Sequence, residues 1–105
     1  MAKERYFADV LQELYDVKKS GSLFVGVLES SEDLIRIYIK NGEIYHFTYG
    51  SAIGQDCMDI IEYYTLRNAT FFEGLAAPAG IVPSKFPTKK FIDMMRKAYK
   101  KVRVP

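Results

Sequence analysis

Cysteine and histidine each occur once in this chain, as Cys57 and His46. A lone cysteine excludes an intramolecular disulfide and reads naturally as belonging to a reducing compartment. One histidine and one cysteine cannot build a structural zinc site, and no carboxylates stand at ligand spacing around them. The longest apolar runs are only a few residues, which excludes a membrane-spanning helix. The opening residues, MAKERYFADV, are charged and have no apolar stretch, which argues against a signal peptide and for a cytoplasmic protein. A Walker motif and a dinucleotide fingerprint are both missing. Gly21, Gly26, Gly42, Gly50 and Gly54 are spaced as turn and strand glycines, not as a phosphate cradle. Internal repeats and low-complexity tracts are missing too. No cofactor is implied.

What is present fits one small globular domain. The chain has 105 residues, 49% of them hydrophobic, so it can fold alone with little core to spare. The net charge of +2 conceals a split. Residues 89–105 carry Lys89, Lys90, Arg96, Lys97, Lys100, Lys101 and Arg103 against Asp93, a balance of +6, which leaves −4 on the remainder. An acidic body with a basic C-terminal segment is a polarised molecule.

Periodicity orders the elements. Phe7, Val10, Leu11, Leu14 and Val17 recur at helical spacing and predict a helix over about 5–18, stopped by Ser20-Gly21. Leu23 to Leu28 is apolar throughout, as in a central strand covered on both faces. Leu34–Lys40 and Glu43–Tyr49 read as two strands joined by Asn41-Gly42, the strongest short-range hairpin signal. A regular two-residue turn pairs Lys40 with Glu43, Ile39 with Ile44, Tyr38 with Tyr45 and Ile37 with His46. That register puts Ile35, Ile37, Ile39, Ile44, His46 and Thr48 on a core face. It puts Tyr38, Tyr45, Phe47 and Tyr49 on an aromatic face. A second helix is expected over about 55–66 and a short strand at Thr70–Glu73. Gly74 to Pro87 is rich in Ala, Gly and Pro and breaks regular structure. A basic amphipathic helix then opens with Thr88 as N-cap, its stripe running through Phe91, Ile92, Met95, Ala98, Tyr99 and Val102.

The residues point away from an enzyme. A Cys–His nucleophile pair needs both groups in one cleft with a third to orient the base. Single copies are better read as a small apolar thiol and a half-buried imidazole. Asp56 and Asp59 suit the N-terminal turn of a helix. Two features could instead bind a partner. Tyr38, Tyr45, Phe47 and Tyr49 could form an exposed contact, since tyrosine is favoured at interfaces. The need of the terminal helices for an apolar partner outweighs that reading for most of the cluster. Arg96, Lys97, Lys100 and Lys101 could meet an acidic protein surface, a second copy, nucleic-acid phosphate or anionic lipid. The basic residues do not interleave with the aromatics, which weighs against nucleic acid.

The order of elements and turns resembles the PATAN domain, a bacterial domain found mostly in signalling proteins and often attached to response regulators of two-component systems. The resemblance rests on K-K-S-G-S-L-F-V at Lys18–Val25, I-Y-I-K-N-G-E-I-Y-H-F at Ile37–Phe47, Y-G-S-A-I-G-Q-D at Tyr49–Asp56 and N-A-T-F-F-E at Asn68–Glu73. It covers about residues 6–75 and departs from the family pattern at Phe47 and at Asn68-Ala69. It implies a non-enzymatic interaction module of signalling that either acts on a signalling protein in trans or forms a stand-alone oligomer.

The expected architecture is α+β: a small antiparallel sheet of about four strands, packed with an N-terminal and a middle helix and followed by a basic C-terminal helix. Residues 1–75 would form the PATAN-like part, 76–87 a linker, and 88–105 a helix packed on the same domain or exchanged in a homodimer. Nucleic-acid or anionic-membrane binding through that last helix is the alternative function.

Overall fold

The computed structural model describes residues 3–54, 56–81 and 87–105. The class is α+β, but the sheet departs from the expected four antiparallel strands. Among the described residues it has seven: β1 (Lys3–Tyr6), β2 (Gly21–Val27), β3 (Ser30–Lys40), β4 (Glu43–Tyr49), β5 (Ala52–Ile53), β6 (Leu66–Glu73) and β7 (Lys101–Val104). Their spatial order is β1-β7-β6-β2-β3-β4-β5. The helices are α1 (Phe7–Asp16), α2 (Asp56–Tyr63) and α3 (Thr88–Ala98). The start of the expected second helix, Gln55, and part of the linker, 82–86, lie outside the described residues.

Three short strands depart from the sequence expectation: β5, two residues within the expected Gly50–Gly54 turn, and β1 and β7, which flank helices. β1 precedes α1, and β7 follows α3, so each was absorbed into its neighbour's helical stripe. Lys101-Val102-Arg103-Val104 alternates polar and apolar, which is a strand pattern, but four residues seldom outweigh an adjoining helix period. Tyr99 adopts a left-handed conformation (φ 53°) and ends α3, so Val102 reaches the core from a strand and not from the helix stripe. β7 pairs antiparallel with β1 and parallel with β6 at Asn68 and Arg103. The parallel contact makes the sheet mixed, as a strand–helix–strand crossover requires.

The hairpin turn is as expected: Asn41 (φ 52°) and Gly42 (φ 82°) are both left-handed. Its register is not. Lys40 faces Glu43 and Ile39 faces Ile44, but Tyr38 faces His46, Ile37 faces Phe47 and Ile35 faces Tyr49. Tyr45 is the extra residue of a bulge. One inserted residue moves every side chain beyond it to the other face. Phe47 and Tyr49 therefore join Ile35, Ile37, Ile39 and Ile44 in the core, while His46 and Thr48 leave it.

The core lies between that face and the helices. Leu23, Val25 and Val27 of β2, the three isoleucines of β3 and Phe47 of β4 meet Phe7, Leu11 and Leu14 of α1, Ile61 of α2, and Phe91, Ile92 and Met95 of α3 in one buried cluster. α1 ends in a Schellman motif, with Lys18 left-handed, Lys18 N–H donating to Tyr15 O and Lys19 N–H to Leu14 O. This closes the helix before Ser20-Gly21 and leaves Val17 exposed, outside the stripe that the spacing assigned it. Thr88 is the first residue of α3 and not its cap. Its Oγ1 accepts the Ile44 N–H at 3.1 Å, tying the helix start to the hairpin.

Candidate functional site

Strand pairing sets out the reverse face of the sheet in rows. One row holds Phe72, Ser22, Tyr38 and His46, and the next holds Thr70, Phe24, Arg36 and Thr48. In the first row Ser22, Tyr38 and His46 are buried, although Tyr38 stands outside the core cluster. The segment after β6 is tied to this row. Ser22 Oγ donates to Leu75 O at 2.6 Å, and Ala77 N–H donates to the Tyr45 hydroxyl at 3.3 Å. Tyr38 packs against both Tyr45 and His46, with ring centroids 6.3 and 6.1 Å away. His46 Nδ1 is buried with no hydrogen-bond partner among the described residues.

The second row is open. Phe24 and Phe72 pack with centroids 5.1 Å apart, and the Arg36 guanidinium stands 5.8 Å above the Phe24 ring. Phe72 is 44% exposed, and Leu34 is exposed close by. This aromatic, arginine-bearing patch was missed in the sequence because Leu23–Leu28 was read as covered on both faces. The signal that could have found it is the Phe71-Phe72 pair of β6, of which Phe72 lies diagonal to Phe24 on this face.

The four aromatics singled out from the sequence do not form one exposed surface. Phe47 is wholly buried against Phe91 of α3, and Tyr49 is buried with its ring edge-on to Tyr64. Tyr38 is buried on the opposite face, and Tyr45 is half-buried beside it. The bulge has divided the cluster between the two faces.

The basic residues have varied surroundings. Arg96 pairs with Asp9 of α1 at 2.9 Å. Lys101 lies 3.7 Å from Glu4 and over the Tyr6 ring. Lys100 Nζ donates to Tyr64 O at 2.7 Å. Its pKa is lowered by burial, against the opposing pull of Glu29 and Glu62. Lys97 is exposed on the outer side of α3. The attraction between basic segment and acidic body is thus met in part within one chain, at Arg96–Asp9 and Lys101–Glu4.

Cys57 and His46 are not brought together. Cys57 is buried in the core cluster, where Sγ donates to Ala52 O at 3.3 Å. Burial, and after it the charge of Asp56, pushes its thiol up to about 11, against a backbone hydrogen bond from Tyr49. His46 faces the other side of the sheet. A thiol held protonated and remote from the imidazole is not arranged as a nucleophile.

No family model, curated protein or solved structure matches this chain. The PATAN resemblance therefore stands on the sequence motifs alone. Their places in the fold are a β2 start at Gly21, the β3–β4 hairpin, the turn from β4 through β5 into α2, and β6.

Proposed function

We propose that this chain is a non-enzymatic interaction module of bacterial signal transduction, of the kind the PATAN resemblance implies, acting on a protein partner in the cytoplasm. The observation that carries the reading is the open patch on the reverse face, where half-buried Phe24 stands together with exposed Phe72 of the adjoining row and exposed Arg36. Aromatic side chains and arginine are the residues that most often anchor protein contacts. The sheet-face contact expected at Tyr38, Tyr45, Phe47 and Tyr49 is assigned here to this patch.

One further point supports a protein partner over phosphate-led binding. Arg96, Lys100 and Lys101 are engaged by the chain's own groups, which leaves Lys97 as the outward cation of the four expected to act together. Among the described residues no helix is long and apolar enough to cross a membrane.

The experiment is capture of response regulators and other signalling proteins by the tagged chain, beside Phe72→Asp and Lys97→Glu variants, at low and high salt. The proposal expects a partner lost with Phe72→Asp and kept with Lys97→Glu and at high salt. Binding that survives Phe72→Asp but vanishes with salt would instead identify nucleic acid or anionic lipid as the target, since phosphate contacts weaken steeply with salt.

A further inference from the structure

Both strands that flank β2 are irregular at one level. On the β6 side Val25 faces Ala69 and Val27 faces Leu66, so Arg67 and Asn68 together oppose Gly26. On the β3 side Gly26 faces Leu34 and Val27 faces Ser30, so Ser31, Glu32 and Asp33 loop out between them. Ser30 Oγ closes that excursion by accepting the N–H groups of Glu32 and Asp33. Bulges re-aim side chains and gather beside functional sites. Here Arg67, Asn68, Ser31 and Asp33 all line one groove of about 740 Å³, together with Arg103 of β7.

Gly26 is the floor of this arrangement. A Cβ at that position would collide with Asn68 Oδ1, so only glycine leaves the amide lying across the β2 backbone. Asn68 is also the register partner of Arg103, which fixes the Arg103 side chain on the same face. Glu4, the cross-strand neighbour of Arg103, lines the same groove, where its carboxylate lies 3.7 Å from Lys101. Neither Arg67 nor Arg103 has a carboxylate within ion-pair distance among the described residues.

We propose that Arg67, Asn68 and Arg103 form a binding site for an oxyanion, a phosphate or a carboxylate, carried by a small non-aromatic molecule. Two guanidinium groups supply forked donors that match either oxyanion, and the Asn68 amide adds two more. The volume is that of a small-molecule site. Among the described residues no aromatic ring lines the groove, so they offer no stacking surface to a nucleobase. Asp33, across the groove on the β3 side and beside Gly50, gives the far end an acceptor for hydroxyl or amino groups. This site is built from side chains other than Phe24, Phe72 and Arg36 and stands without the interaction reading.

The test is titration of the full chain at low ionic strength with inorganic phosphate and, separately, with acetate, followed by amide and arginine Nε–H NMR signals. Saturable shifts are expected at Arg67, Asn68 and Arg103. Which probe saturates at lower concentration identifies the oxyanion. Arg67→Gln and Arg103→Gln should each weaken binding about tenfold, the loss of a charge-assisted hydrogen-bond pair. Asn68→Ala should weaken it less, and Lys90→Gln, on the outer side of α3, should leave it unchanged. Gly26→Ala should act like Asn68→Ala if it folds, and Asn68→Ala alone suffices if it does not. The proposal is overturned if neither probe gives saturable shifts at these residues. It is also overturned if Lys90→Gln weakens binding as much as the two arginine variants, which would show a diffuse field and not a site.

Discussion

The rings of Phe47 and Phe91 meet with centroids 5.1 Å apart and planes inclined by 57°, and this contact fastens the basic C-terminal helix to the hairpin. Both side chains are fully buried. α3 in turn delivers β7, which joins β1 to the rest of the sheet. The helix is thus part of the core and not an appendage on a linker.

Phe91→Ala should therefore destabilise the protein by about 3–5 kcal/mol, the usual cost of emptying a buried phenylalanine site. Urea denaturation measures it. The same contact would form between copies if α3 and β7 were exchanged in a dimer. In that case the melting temperature of the wild type rises with concentration across the micromolar range. A concentration-independent Tm and a monomeric mass by light scattering rule exchange out. Truncation near Gly80 should unfold the chain in either case, because it removes Phe91, Ile92, Met95 and Val102 from the core.

Much of this fold was legible in the sequence, because β4, the Asn41-Gly42 turn and the α1 stripe from Phe7 to Leu14 follow from local periodicity. The bulge at Tyr45 was not. Tyrosine carries no bulge signal, and the one-residue slip is decided by which face the core can fill. Phe47 and Tyr49 supply far more apolar area there than His46 and Thr48 would. β1 and β7 were hidden because each stabilises the other across the whole chain length, a contact that no local window contains. The bulged groove did have a local signal. An isolated glycine within an apolar strand marks a bulge or a close backbone approach, and Gly26 is both.

Gly42 and Gly54 separate two costs of replacing a turn glycine. Both have positive φ, +82° and +61°. A Cβ on Gly54 would meet nothing within 4 Å, whereas one on Gly42 would lie 2.7 Å from Tyr15 O and 2.8 Å from Tyr15 Cα. Those are backbone atoms at the end of α1 and cannot yield as a flexible side chain would. Gly54→Ala should cost about 1 kcal/mol, the backbone strain alone. Gly42→Ala should cost about 2–3 kcal/mol and displace the hairpin from the α1–β2 loop, where Gly42 N–H donates to Lys19 O at 2.7 Å. Chemical denaturation of the two variants gives the difference. Equal losses would mean that the hairpin tip moves freely and that its contact with α1 contributes little.

Cys57 gives the chain a defined response to alkaline pH. Its buried thiol ionises at about 11, where an unfolded cysteine ionises near 9. The native state therefore holds a proton that the unfolded state has released between those values, and proton release favours unfolding there. The thiol's contribution to stability is complete below pH 9 and declines as pH rises towards 11. The comparison is with Cys57→Ala, so that the difference between the two proteins reads the thiol alone. The wild type should lose about 1–2 kcal/mol relative to that variant over the interval, once water penetration around the ionised sulfur is allowed for. The same burial predicts that iodoacetamide labels the native protein at pH 8 only as fast as the region around α2 opens, with full labelling in urea. Rapid labelling of the folded chain would place Cys57 in reach of solvent and reopen the case for a reactive thiol.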